Sequence, residues 1–194
     1  MSGMQRPILF FDLAGTLEVR DPGTGRWGLW PGADRALADL FDDFELHLTT
    51  GDGPGGAAGS LQELDLREFF TGVHAGLPGG GKPFGQLAAS LGRRPEECLA
   101  IGDSTQNDTA GDSDRVVSVI LEHGQRLVPP ARLKAVVREL AVAEDFLTGF
   151  VEALAATSAS GNTLRESTLG GGCRLGWWRK NATTERAMVL LSTV

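Results

Sequence analysis

Asp12 in FFDLAGT, Thr49 in LHLTTGD, Lys82 in GGGKP, and the pair Asp103 and Asp108 in IGDSTQND are acid, hydroxyl or ammonium groups that follow the ends of strand-like or loop segments. Brought to one crevice, three carboxylates repel one another unless a hard cation binds them. Mg2+ suits such oxygen ligands and commonly retains waters and a substrate phosphate. Each residue also has a plainer role open to it. Asp12 could cap a turn, Asp103 and Asp108 could be a loop acid and a helix N-cap, and Lys82, one of three lysines with Lys134 and Lys180, could be a solvated loop residue. Thr50 competes with Thr49, because a one-residue shift of the strand end exchanges the faces on which they lie.

Positioning these groups falls to the segments around them. Residues 7–11 form a continuous apolar run that stops at Asp12, as expected of a central strand buried on both faces whose C-terminal end carries chemistry. Residues 18–30 hold RDPGTG between strand-like flanks and read as a hairpin. Apolar positions 33, 36, 37, 40 and 41 follow a helix period, and 44–48 then reads as a strand. A helix is expected over 61–70, a short edge strand over 72–75, a helix over 83–91 that Gly92 ends, and buried strands over 98–101 and 116–121. Two more helices are expected between 130 and 156. Glycines cluster in GDGPGGAAGS and GLPGGGKP and punctuate these segments. The alternation argues for an α/β fold with a mainly parallel sheet and crossover helices, and an open sheet of that kind gathers strand-end groups into one crevice at its carboxyl edge.

The order and context of these motifs resemble the four sequence motifs of the haloacid dehalogenase superfamily of hydrolases, over residues 7–121. The resemblance implies a Rossmann-like three-layer core, with the hairpin as a small flap, and a Mg2+-dependent phosphatase or phosphotransferase. In such an enzyme Asp12 would attack phosphorus to give an aspartyl-phosphate that water then hydrolyses. The metal would be held by Asp12, the backbone carbonyl of Ala14, Asp103 and Asp108, some of them through water. The phosphoryl charge would be stabilised by the Thr49 hydroxyl, the Lys82 ammonium and backbone N–H groups after Asp12. Leu13, Ala14, Gly15, Thr49 or Thr50, and Lys82 are thus the expected phosphate-binding residues, with Gly15 letting the backbone come close.

The sequence departs from the family pattern at Ala14. Family phosphatases usually carry a second aspartate there, which protonates the leaving oxygen and later deprotonates the attacking water. A methyl group does neither, and loss of a positioned acid-base typically costs about 10² to 10⁴ in rate. Acyl or aryl phosphates would suffer less in the first step. Asp52, just beyond the second motif, is either a surrogate or, more simply, a solvated loop acid. Alanine in an AGT motif resembles the phosphonoacetaldehyde hydrolases of the superfamily, which cleave a carbon–phosphorus bond after a cap-domain lysine forms an imine with the aldehyde. Residues 13–48 contain no lysine and are too few for a helical cap, so that route would need Lys134 or Lys180. The interval from Thr49 to Lys82 is also short and glycine-rich, and the site is expected to be open. Trp27 and Trp30 would either form a flap on the hairpin or pack it.

Bulk properties narrow the partners. A chain of 194 residues suits one core with a tail. With 18 basic and 25 acidic residues the net charge is -7, a field that repels nucleic acid. Two cysteines, Cys98 and Cys173, are too few for a disulfide framework or a zinc site and suit a reducing compartment. His47, His74 and His123 show no metal-ligand spacing. The N-terminal apolar run is too short for a signal sequence, and no segment is long enough to span a bilayer. These features point to a cytoplasmic protein acting on a phosphorylated small molecule or an exposed phosphoryl group, without nucleic-acid or membrane partners and with oligomerisation left open. A boundary is expected near 157. Residues 1–156 form the core, and 157–194 a Gly/Ser/Thr-rich tail with five basic and two acidic residues, net +3 against -10 for the rest. The tail reads as mobile, or as docking through GWWRKN. Two function classes remain: an enzyme of narrowed substrate range, with phosphonate hydrolysis as a variant, and a phosphate-binding or regulatory module that has lost turnover with its general acid.

Overall fold

The computed structural model describes residues 6–109 and 116–122, together with the backbone of three later strands. The helices expected between 130 and 156 lie outside the described residues. Strands β1 (Ile8–Phe11), β4 (Glu45–Thr49), β5 (Gly72–His74), β6 (Cys98–Gly102) and β7 (Val117–Glu122) run parallel in the order β5-β4-β1-β6-β7. Helices α1 (Ala33–Phe41), α2 (Pro54–Glu63) and α3 (Phe84–Ser90) supply the crossovers. The short antiparallel hairpin of β2 (Glu18–Arg20) and β3 (Trp27–Leu29) stands apart from the main sheet.

Continuous apolar runs produce this arrangement because a strand covered on both faces needs no polar alternation. Alternate residues of β1 go to opposite layers. Leu9 and Phe11 join Leu46, Leu48, Leu99 and Ile101 under Leu37 and Leu40 of α1 and Leu61 of α2. Ile8 and Phe10 join Cys98 and Ala100 under Phe84 and Ala88 of α3. Two cores on one sheet make the three layers, the Rossmann-like architecture with a hairpin that the sequence led us to expect.

Register does the positioning. Phe11 is level with Leu48 on one side and Ile101 on the other. The residues just beyond, Asp12 from β1, Thr49 and Thr50 from β4 and Gly102 and Asp103 from β6, therefore emerge together at the carboxyl edge.

Two segments differ from expectation. The helix expected over 61–70 instead runs over Pro54–Glu63, inside the glycine cluster read as punctuation, and a single 3-10 turn follows at Arg67–Phe69. Pro54 opens the helix where its missing N–H costs nothing, while Ala57 and Leu61 bury one face. Packing of that face outweighs the glycines' low propensity. Asp65, with φ 56°, ends the run. Beyond residue 157, β8 (Ser167–Leu169), β9 (Cys173–Asn181) and β10 (Thr184–Ser192) extend the sheet in the order β7-β10-β9-β8, with β10 parallel to β7 and β9 antiparallel to β10. Among the described residues no helix is long and apolar enough to cross a membrane.

Candidate active site

Lys82 is the hub of the carboxyl edge. It lies just before α3, its N–H donating to the Asn107 carbonyl (3.0 Å), and its side chain is buried. The ammonium donates to Asp12 Oδ1 at 2.5 Å, Asp108 Oδ1 at 2.6 Å and the Thr49 carbonyl at 3.0 Å. Three acceptors match the three donors of an ammonium. Asp12 is held further by the Thr16 hydroxyl on Oδ2 (3.3 Å), and its own N–H donates to the Ile101 carbonyl (2.8 Å), continuing the ladder past the end of β1. Asp108 accepts the Ser104 N–H on Oδ2 (3.0 Å). Asp103, more exposed, completes the group, and ligand atoms of the three carboxylates lie within 4.8 Å of one another.

Two glycines make this crowding possible. Gly15 has φ +85°, and a Cβ there would fall inside the Asp103 carboxylate. A Cβ on Gly102 would overlap Asp108 in the same way. Both positions thus exclude a side chain where the acids converge.

The electrostatics follow from burial. Loss of water, then the neighbouring Asp108 charge, pushes the Asp12 carboxyl up to about 6, although Lys82 pulls it back. Burial and Asp108 also push Asp103 up. As a carboxylate bonded to Lys82, Asp12 presents an oxygen able to act as a nucleophile. Three hard oxygen donors facing a shortage of positive charge fit a small divalent cation, and Asp12, Asp103 and Asp108 would hold Mg2+ there. Bound Mg2+ would supply charge neutralisation for phosphoryl oxygens.

A cavity of about 230 Å3 opens over these groups, walled by Asp12, Ala14, Thr50, Asp52, Lys82 and Asp103, with Asp108 also contributing. The structure therefore brings together Asp12, Ala14, Thr50, Lys82, Asp103 and Asp108. Thr49 is not among the lining residues. It is fully buried, and its hydroxyl donates to the Phe11 carbonyl (3.1 Å) inside the sheet, so Thr50 is the hydroxyl that faces the site. The Leu13 side chain belongs to the core. Of the expected backbone donors, Gly15 N–H is taken by the Glu18 carbonyl (2.7 Å). Among the described residues no acceptor engages the N–H of Leu13 or Ala14.

Sequence reasoning passed over Asn107, whose side-chain oxygen accepts the Gly80 N–H (3.1 Å) while its carbonyl holds Lys82, and Ser104, which braces Asp108. Their signal was present, since both lie inside IGDSTQND between the two acids.

The parallel three-layer sheet is a fold that this chain shares with solved haloacid dehalogenase-like hydrolases. The comparisons agree on the fold. A haloacid dehalogenase-like family hydrolase from Xanthomonas campestris superposes with a TM-score of 0.59 at 13% identity, covering 74% of this chain and 99% of its own. A haloacid dehalogenase-like hydrolase from Streptococcus pneumoniae gives 0.53 at 16%, covering 68% and 98%. A predicted phosphoglycolate phosphatase from Haemophilus somnus gives 0.53 at 16%, covering 62% and 87%. Neither a protein-family model nor a curated protein matches the chain.

Proposed function

We propose that this chain is a Mg2+-dependent hydrolase of the phosphatase or phosphotransferase type, working through an aspartyl-phosphate on Asp12 with a narrowed range of substrates. The observation that carries the reading is the ammonium of Lys82 between Asp12 Oδ1 and Asp108 Oδ1 at the wall of an open cavity. Asp12 supplies the nucleophilic oxygen. The N–H groups of Leu13 and Ala14 are donors set to meet the phosphoryl oxygens, and Lys82 and Thr50 would turn to them from one of their present acceptors. The cavity is smaller than the roughly 300–1,000 Å3 of ordinary small-ligand pockets. It would take the phosphoryl group and leave the rest of the substrate outside, which suits a phosphorylated small molecule or an exposed phosphoryl group. The acidic balance argues against nucleic acid, and the buried thiol of Cys98 suits the cytoplasm.

Ala14 supports a second reading, a phosphate-binding module without turnover. Phosphonate cleavage is less well supported. The nitrogen of the lysine lining the cavity is already engaged by two carboxylates, Lys180 lies on β9, three strands from β6, and Lys134 lies outside the described residues.

The test is phosphate release from p-nitrophenyl phosphate and acetyl phosphate with and without Mg2+, in wild type and Asp12→Asn. Metal-dependent release that falls by about 10⁴-fold or more in Asp12→Asn is the expected result. A wild type that binds inorganic phosphate in the presence of Mg2+ and releases none from either substrate is the module.

A further inference from the structure

Ala14 leaves a departing oxygen without an acid at the usual place, yet the cavity wall carries one carboxylate that neither the nucleophile nor the metal set uses, Asp52. Its loop follows β4, the strand beside β1, and so lies next to the turn that carries Asp12 and Ala14. The loop is held at both ends of the residue. Gly76 N–H donates to the Asp52 carbonyl at 2.6 Å, and Asp52 N–H donates to Thr50 Oγ1 at 3.1 Å. The Thr50 hydroxyl in turn donates to Asp52 Oδ2 at 3.3 Å. Among the described residues nothing engages Oδ1, so one oxygen fixes the carboxyl and the other is left for exchange with a ligand. Glu18, bridged to Ala14 through the backbone and buried, has its carboxyl pushed up by burial and also by the Asp52 charge. Asp52 thus lies within electrostatic reach of the residue that pairs with Ala14.

We propose that Asp52 is the general acid and base of the reaction, standing in for the carboxyl missing at position 14. The proposal rests on the aspartyl-phosphate reading above. In the first step an Asp12 oxygen bonds to phosphorus while the bond from phosphorus to the leaving oxygen breaks. Its electron pair goes to that oxygen, which takes the Asp52 proton and departs as an alcohol. In the second step a water oxygen bonds to phosphorus and gives a proton to the Asp52 carboxylate, while the pair of the phosphorus–Asp12 bond returns to Asp12. The sum is phosphate ester plus water to alcohol plus phosphate, and both aspartates return to their starting states.

The experiment compares wild type, Asp52→Asn, Ala14→Asp and the Asp52→Asn/Ala14→Asp double variant as full chains with Mg2+, on p-nitrophenyl phosphate, phenyl phosphate and glycerol phosphate. Asp52→Asn is expected to keep the melting temperature and lose about 10²-fold in kcat/KM or more on phenyl and glycerol phosphates. The loss should be clearly smaller on p-nitrophenyl phosphate, whose leaving group needs little help, and the double variant should regain the loss. An equal loss on all three substrates, or none, overturns the proposal while Asp12-dependent turnover leaves the hydrolase reading standing. No turnover in wild type or in Ala14→Asp defeats the hydrolase reading and this proposal with it.

Discussion

The two sides of the cavity are built differently. On one side Asp12, Lys82 and Asp108 are buried, bridged by bonds of 2.5 and 2.6 Å, and packed so closely that Gly15 and Gly102 have no room for a side chain. On the other side Ala14 offers a methyl group, and Asp52 is exposed and held by a single hydroxyl on its side chain. The charge-handling side is over-determined by the sheet register beneath it. The other side, where the leaving group of the proposed reaction would sit, rests on the loop after β4 and the glycine-rich helix that follows it. The position of the acids and the lysine is therefore fixed by the fold, whereas the wall beside Ala14 is built from replaceable parts.

Removing the centre of the first side should break this contrast most severely. Lys82→Met leaves Asp12 and Asp108 buried and opposed without their shared cation. Breaking a buried pair by deleting one partner costs about 3–5 kcal/mol, or a fall of roughly 10 °C in a protein of this size. Turnover should fall by at least about 10²-fold. Thermal melts with and without Mg2+ check the first figure, and the metal should recover part of the loss by supplying the missing charge. A variant that melts within a degree of wild type would mean that the carboxylates do not depend on Lys82.

The two threonines sharpen the comparison at a smaller scale, because they sit next to each other in sequence and on opposite sides of the divide. Thr49→Val removes a buried donor to the Phe11 carbonyl and should cost about 1 kcal/mol of stability, with kcat/KM little changed. Thr50→Val removes a hydroxyl that lines the cavity and positions Asp52. It should leave the melt alone and lower kcat/KM by about 10-fold or more. The opposite pattern would put the second-motif hydroxyl back at Thr49.

That pair also marks how far the sequence could be read. The strands of the described core were legible because both-face burial writes itself as unbroken apolar runs, as at 7–11 and 98–101, and the acids at their ends were legible with them. Thr49 was separated from Thr50 only by the register of β4 on β1, which no local pattern states. Helix α2 was hidden because its glycines signal a break, while its stability comes from Ala57 and Leu61 packing into a core assembled from distant segments. Beyond 157 the run TERAMVLLS is strand-like in composition, but the glycines and serines before it dominate the reading. The hydrogen bonds of Asn107 to Gly80 and Lys82 join segments that are remote in the chain, so composition could not show them.

The smallest expected effect concerns that same helix. Gly59 lies inside α2 on its exposed side, its φ is ordinary, and a Cβ there would meet nothing within 4 Å. Nothing in the packing requires glycine, so the residue only adds freedom to the unfolded chain and weakens the helix. Gly59→Ala should stabilise by about 0.5–1 kcal/mol and raise the melting temperature by roughly 1–4 °C. The neighbouring turn holding Asp52 precedes α2 directly, so a stiffer helix also tests whether the leaving-group side works by moving. A higher melting temperature with unchanged kcat would make α2 a passive support, and the contrast between the two sides one of construction alone. A higher melting temperature bought with slower turnover would show that the looseness of this side is part of how the leaving group gets out.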